Sequence, residues 1–133
     1  MRKAIINPEG MMLPPSKYSH GISVELSEAT LIFVAGELPL DQEGNVVGPN
    51  DIAAQTECVF QNIEKVLKAS GASLDDVVKA TIFVTGMKDF KKVVAVRDKY
   101  FAKSSPASTF VGISKLTRDD CLVEIEAIAV VAK

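Results

Sequence analysis

Residues Val123–Val131 read Val-Glu-Ile-Glu-Ala-Ile-Ala-Val-Val, an apolar strand interrupted by two carboxylates. Val78, Ala80, Ile82 and Val84 alternate with other residues and predict a strand over 78–84 with those four on one face. Gly21 to Leu26 and Thr30 to Ala35 are rich in Ile, Val and Leu, and Ser27-Glu28-Ala29 between them suits a hairpin. Residues 2–6 and Thr109 to Ile113 read as further strands. Two stretches change period. Ile52, Val59, Ile63, Val66 and Leu67 fall on one helical stripe, with Asn50 or Asp51 as the cap and Gly71 as the stop. Phe90, Val93, Val94, Arg97, Tyr100 and Phe101 line one side of a second helix, capped by Asp89 and left at Pro106. Prolines and glycines mark 7–17 and 36–50 as loops, and Ser73 to Asp76 as a tight turn.

The order β-β-β-α-β-α-β-β predicts an α+β sandwich, one sheet with two helices on one face. Two helices cover one face only. On the last strand Ile128 and Val130 share a side with Glu124, so the other face is apolar as well. Such a face needs a partner, and the residues themselves predict self-association.

Composition narrows the classes. The 133 residues make one domain, 1–133, able to bury a core without metal or disulfide. Hydrophobic residues are 47% of the chain, yet no apolar run approaches the roughly 18–20 residues of a membrane span. The apolar part of residues 1–7 is too short for a signal peptide. Cys58 and Cys121 lack Cys-x-x-Cys spacing and read as reduced, buried fillers of a cytoplasmic protein. A net charge of −2, without a basic aromatic groove, argues against nucleic acid. One histidine and two distant cysteines supply no metal set, and no phosphate loop or dinucleotide fingerprint is present. No cofactor is expected.

Five segments in order resemble the Rid (YjgF-like) family of reactive intermediate deaminases. They are Tyr18-Ser19-His20-Gly21, then Ile32 to Asp41 around Ala35-Gly36-Glu37-Leu38-Pro39, where the family reads Ser-Gly-Gln-x-Pro. The third is the helix pattern from Gln55 to Asn62, the fourth Asp76 to Val84, and the fifth Val123 to Val130. The resemblance covers nearly the whole chain. It implies a chorismate-mutase-like fold, a homotrimer, and small-molecule clefts between adjacent subunits. The typical activity is hydrolysis of 2-imino acids, or the enamines in equilibrium with them, without a cofactor.

By the same resemblance Glu124 matches the glutamate that positions water, and Tyr18 the pocket tyrosine. Ser108, in Pro106-Ala107-Ser108-Thr109-Phe110, stands where the family has the arginine that clamps the substrate carboxylate. Ala35 replaces a common serine, Val94 an asparagine, and Phe110 a small residue. One extra residue lies near Asp119-Asp120. The cleft, with Thr109 beside Ser108, should therefore be more apolar and less cationic than usual. Lys17, Lys115 and Arg118 are the candidates to replace the lost cation. A charge-assisted hydrogen bond contributes roughly 1.5–3 kcal/mol, about 10- to 150-fold in binding or rate.

Plainer readings stand beside these. Glu124 and Glu126 share a face and could be an ion-paired and a solvated carboxylate. Tyr18 could be a packed loop tyrosine, and a lone histidine such as His20 is more often a structural hydrogen bonder than a catalyst. Ser108 has no visible base and is not read as a nucleophile. Two functions follow: a divergent imine or enamine hydrolase whose substrate is not a standard 2-imino acid, or a non-catalytic trimeric metabolite-binding module. The endoribonuclease label carried by some relatives fits the acidic balance poorly.

Overall fold

The computed structural model describes residues 1–133. Six strands form one sheet: β1 (Arg2–Ile6), β2 (Gly21–Glu25), β3 (Ala29–Glu37), β4 (Val77–Val84), β5 (Ala107–Gly112) and β6 (Val123–Ala132). Two α-helices, α1 (Ile52–Ala69) and α2 (Phe90–Tyr100), complete the α+β order read from the sequence. The spatial order is β1-β2-β3-β6-β4-β5. All neighbours are antiparallel except β4 and β5, whose parallel pairing is made possible by the α2 crossover.

Local chemistry sets the helix ends. Asp51 caps α1, its Oδ1 accepting from the Ala54 N–H at 3.0 Å. At the other end Gly71 takes φ 78°, and the Gly71 and Ala72 N–H groups bond back to Lys68 and Leu67. Ser73 and Asp76 cap each other across a single 3-10 turn, Leu74–Asp76, which replaces the expected simple turn. The expected Asp89 cap is not made. A 3-10 turn, Met87–Asp89, leads directly into α2, and the Asp89 side chain caps no backbone N–H.

The core lies between the helices and one face of the sheet. Phe60, Val59, Ile63, Val66 and Leu67 of α1 pack on Ile32, Ile82, Val84, Val123, Ile125 and Ala129. Each such large side chain contributes about 1.5–3 kcal/mol by leaving water. Phe60 stacks on Tyr100 at 4.9 Å and meets Phe101 edge-on at 5.1 Å, which fixes α2 against α1.

Two bulges shift the alternation. In β3, three steps from Val34 to Glu37 match two steps from Ala127 to Ile125 in β6. In β4, two steps from Val77 to Lys79 match one from Ala129 to Ile128. The β4 bulge corrects the expected face: Val77 is buried, and Val78 is turned out, 47% exposed, while Ala80, Ile82 and Val84 face inward as expected.

The second face of the sheet carries no helix. Phe33 (42% exposed) and Val130 (37%) lie on it with Ile128 and Glu126. A depression of about 320 Å³ there is lined by Phe33, Lys79, Thr81, Glu126 and Ile128. No helix is long and apolar enough to cross a membrane.

Candidate functional site

Strand alternation puts Val123, Ile125, Ala127 and Ala129 of β6 into the core, so Glu124 and Glu126 stand on the open face. Glu124 pairs in register with Phe83 and is half-buried. Its carboxylate lies over Gly36. A Cβ at position 36 would meet the Glu124 carboxylate oxygen and lie 2.9 Å from its Cδ, so only glycine leaves room for this approach. Burial pushes the Glu124 carboxyl above its ordinary value, and the nearby Glu126 and Glu37 charges add to the shift. Such a carboxyl is suited to pass a proton in either direction.

Gly36 also borders a small cavity of about 40 Å³, with Tyr18, His20, Glu37 and Asn62 among its walls. That volume holds a water or two. Tyr18 is half exposed at this cavity, and burial followed by the Glu37 charge raises its phenol. Below it, His20 and Glu37 form a buried pair, 7% and 4% exposed. His20 Nδ1 lies 3.0 and 3.1 Å from the two Glu37 oxygens, and Nε2 lies 2.7 Å from the Met12 carbonyl oxygen. The hydrogen bond with Glu37 raises the His20 pKa, with burial opposing. Burial raises Glu37, with His20 opposing. For the coupled pair the rise at His20 is the firmer direction, because both its ring nitrogens face acceptors.

Loops are tied to α1 by two buried amides. Gln55 Nε2 donates to the Gly48 and Asp120 carbonyls, and its Oε1 accepts from Leu122 N–H at 2.8 Å. Asn62, seven residues on and so on the same helix face, donates to the Leu38 and Leu40 carbonyls. The Gln55-to-Asn62 pattern thus anchors the chain leaving β3 and the chain entering β6, on either side of Glu124.

The remaining expected residues divide between the faces. Thr109 faces the open side, opposite Thr81, and accepts from Lys79 Nζ at 2.6 Å. Ser108 is opposite buried Ala80 and Phe110 opposite buried Ile82, so both point to the helix side. Phe110 packs edge-on against Phe90 at 4.8 Å. Val94 is half-buried on α2, one turn after Phe90. Ala35 is half-buried at the β3 bulge, its N–H donating to the His20 carbonyl at 2.8 Å. A single chain thus gathers Glu124, Tyr18 and Ala35 near Gly36, and leaves Ser108, Phe110 and Val94 on the other side of the sheet.

Of the expected cations, Arg118 is engaged by Asp120 at 2.9 Å and by the Gly44 carbonyl, while Lys17 and Lys115 are exposed. The cation that shares a pocket with Ser108 is Arg97, in a hollow of about 410 Å³ with Asp98, Phe101 and Ser105. Its Nη2 is 3.0 Å from Asp98 Oδ1. Sequence reading placed Arg97 on the lined side of α2 but did not connect it to Ser108. It also missed the His20–Glu37 pair. Aligning Ile22 with Phe33 in the hairpin brings position 20 beside 35, which was the available signal. Cys58 and Cys121 are free, buried and raised by burial, Cys121 to about 11, which keeps both as thiols rather than thiolate nucleophiles.

A small α+β domain with a bare apolar sheet face and a half-buried carboxylate over glycine is the class that fold and site define. The profile of the family described as endoribonuclease L-PSP matches residues 11–131. A RutC family protein of Pyrococcus abyssi is 41% identical over 129 residues, 97% of this chain and 98% of the relative. The 3-aminoacrylate deaminase RutC of Acinetobacter baylyi is 35% identical, with 97% and 98% covered. A crystal structure from Thermotoga maritima superposes with a TM-score of 0.88 at 37% identity, covering 98% of each chain. The chain belongs to this family, the Rid or YjgF family.

Proposed function

We propose that the protein is a divergent imine or enamine hydrolase, a deaminase working in clefts between the subunits of a homotrimer. The observation that carries this is Glu124: a half-buried carboxyl with a raised pKa on a bare apolar face, packed over Gly36, which also borders the cavity that Tyr18 lines. The reaction needs little. Water adds to the carbon of a C=N⁺ group, one water proton passes to nitrogen, and the C–N bond breaks as the new hydroxyl gives up its remaining proton, leaving a carbonyl and ammonia that takes up that proton as ammonium. Glu124 takes the proton from water and delivers it to the departing nitrogen. The Acinetobacter relative is named for an enamine, 3-aminoacrylate, which supports this reaction class.

The split between Glu124 and Ser108 supports the homotrimer. Ser108, Thr109 and Phe110 lie on β5, an edge strand with one neighbour, and Glu124 lies on an uncovered face. A second copy docked on that face brings one subunit's edge to another's carboxylate. Ser108 offers no charge to a substrate carboxylate, and Arg97 is tied to Asp98. The preferred substrate therefore lacks a carboxylate or is larger and more apolar than a standard 2-imino acid.

Ammonia release from enzymatically generated 2-iminobutanoate, with and without the protein, tests this. Little acceleration by the wild type and clear acceleration by Ser108→Arg is the expected result. Silence in both, and with uncharged enamines, overturns the deaminase reading. The second reading is a non-catalytic metabolite-binding module, favoured by one observation, the serine at position 108.

A further inference from the structure

The Met12 carbonyl oxygen can only accept a hydrogen bond, so His20 Nε2, 2.7 Å away, carries a proton. Nδ1 faces both oxygens of Glu37 at 3.0 and 3.1 Å. That contact also requires a proton, on the imidazole or on the carboxyl. With neither, a nitrogen lone pair would face a buried carboxylate. The arrangement is therefore built around one extra proton held between two side chains that are almost wholly buried.

The three groups it joins are far apart in sequence. The Met12 contact spans eight residues and closes the loop that contains Pro14, Pro15 and Tyr18. The Glu37 contact spans 17 residues and ties that loop to the end of β3, one residue beyond Gly36. The His20 N–H adds a bond to Asn7 Oδ1 at 3.0 Å, at the start of the same segment. Tyr18, at 51% exposure, stays at the cavity through this cross-tie rather than through its own burial.

We propose that His20, in its protonated form and locked to Glu37, is a positioning residue that holds the Tyr18 loop over the cavity beside Glu124, and that losing this one proton releases the loop. The inference rests on the site assigned above, because Tyr18 matters only if ligand binds there. The other titratable groups around the pair are Tyr18 on the loop and Glu124 on β6, and both feel the Glu37 charge. From α1 the cavity receives only neutral Asn62. Release would leave Glu124 in place and remove one wall of the cavity on the other side of Gly36, so KM should move more than kcat.

His20 is the only histidine, so its ring can be followed by NMR in the full-length wild type without assignment ambiguity. Its titration should be compared with hydrogen-exchange protection of the two amides that tie this loop, His20 N–H bound to Asn7 Oδ1 and Ala35 N–H bound to the His20 carbonyl, corrected for intrinsic exchange. His20 should titrate above 6.5, the ordinary histidine value. Loop protection should fall at least about tenfold across the same pH interval, the lower bound for losing a charge-assisted hydrogen bond. Glu37→Gln should lower the midpoint, and the His20→Gln/Glu37→Gln pair should make loop protection independent of pH. A midpoint at or below 6.5, or loop protection that ignores the titration, overturns the proposal. If the double variant does not fold, the wild-type titration alone still decides. These readouts need no turnover. If ammonia release fails while the loop follows His20, the deaminase reading falls and the positioning role stands; the reverse result separates them equally.

Discussion

The two faces of the sheet are made from the same strands and obey different rules. On the helix side, Ile82, Ile125 and Val84 are sealed under α1 and α2, and every position is set by packing. On the open side, Phe33, Ile128 and Val130 share the face with Glu124, Glu126, Lys79 and Thr81. The first face explains why the chain folds. The second is apolar without being covered and charged without being paired, as a surface that takes a partner is. On the reading proposed above, stability and function are separated by the pleat of a single sheet.

The sharpest way to break that separation is at Glu124, the carboxylate proposed to move the proton. Glu124→Gln should lower turnover by at least about 100-fold, as for loss of a general acid or base, with little change in Tm. Comparable loss of turnover and of Tm would show the face to be structural instead. Ile82→Ala on the other face should do the opposite, costing about 2–5 kcal/mol in denaturant unfolding.

Glycines give a matched pair. Gly36→Ala pushes a methyl into the flexible end of Glu124, so activity should fall about tenfold or more while stability moves little. Gly21→Ala meets Val66 Cγ1 at 2.7 Å and the Phe33 carbonyl at 3.1 Å on the packed side, and should cost about 1–3 kcal/mol. Equal stability losses for both would erase the distinction between faces.

Between the two faces lies the His20–Glu37 pair. His20 is raised by its partner, so its stabilisation is fully present below the unfolded value near 6.5 and is lost as pH rises through the folded value. Buried Glu37 resists ionisation and acts in the same direction. Tm measured from pH 6 to 9 should therefore decline in the wild type and stay flatter in the His20→Gln/Glu37→Gln variant. The smallest effect is expected on the surface, where Glu57 is held by Lys99 and Tyr100. Lys99→Ala should cost under about 1 kcal/mol, and less in salt.

Much of this was legible in the residues. Alternation in 123–131 placed Glu124 and Glu126 on one face with Ile128 and Val130, and helical spacing found both helices. The bare apolar face was already visible as two helices set against six strands. Val78 was misplaced because a bulge changes the phase of a strand without altering its composition. The His20–Glu37 contact escaped because it depends on hairpin register, which no single segment encodes. Arg97 escaped for a similar reason: its nearness to Ser108 comes from a crossover that turns α2 back along β5. Distances inside one element were readable, and distances between elements were not.

The extra residue in β3 gives the site a reading frame. Between Val34 and Glu37 it lets the strand send Glu37 inward to His20 while leaving Gly36 bare beneath Glu124. Removing one residue there would swing Glu37 toward the open face, strand His20 without its counter-ion, and bring a side chain up to Glu124, all in one event. At the Ala35–Gly36 step chain length therefore matters more than side-chain identity: an insertion or deletion there disturbs the buried pair and the Glu124 contact together.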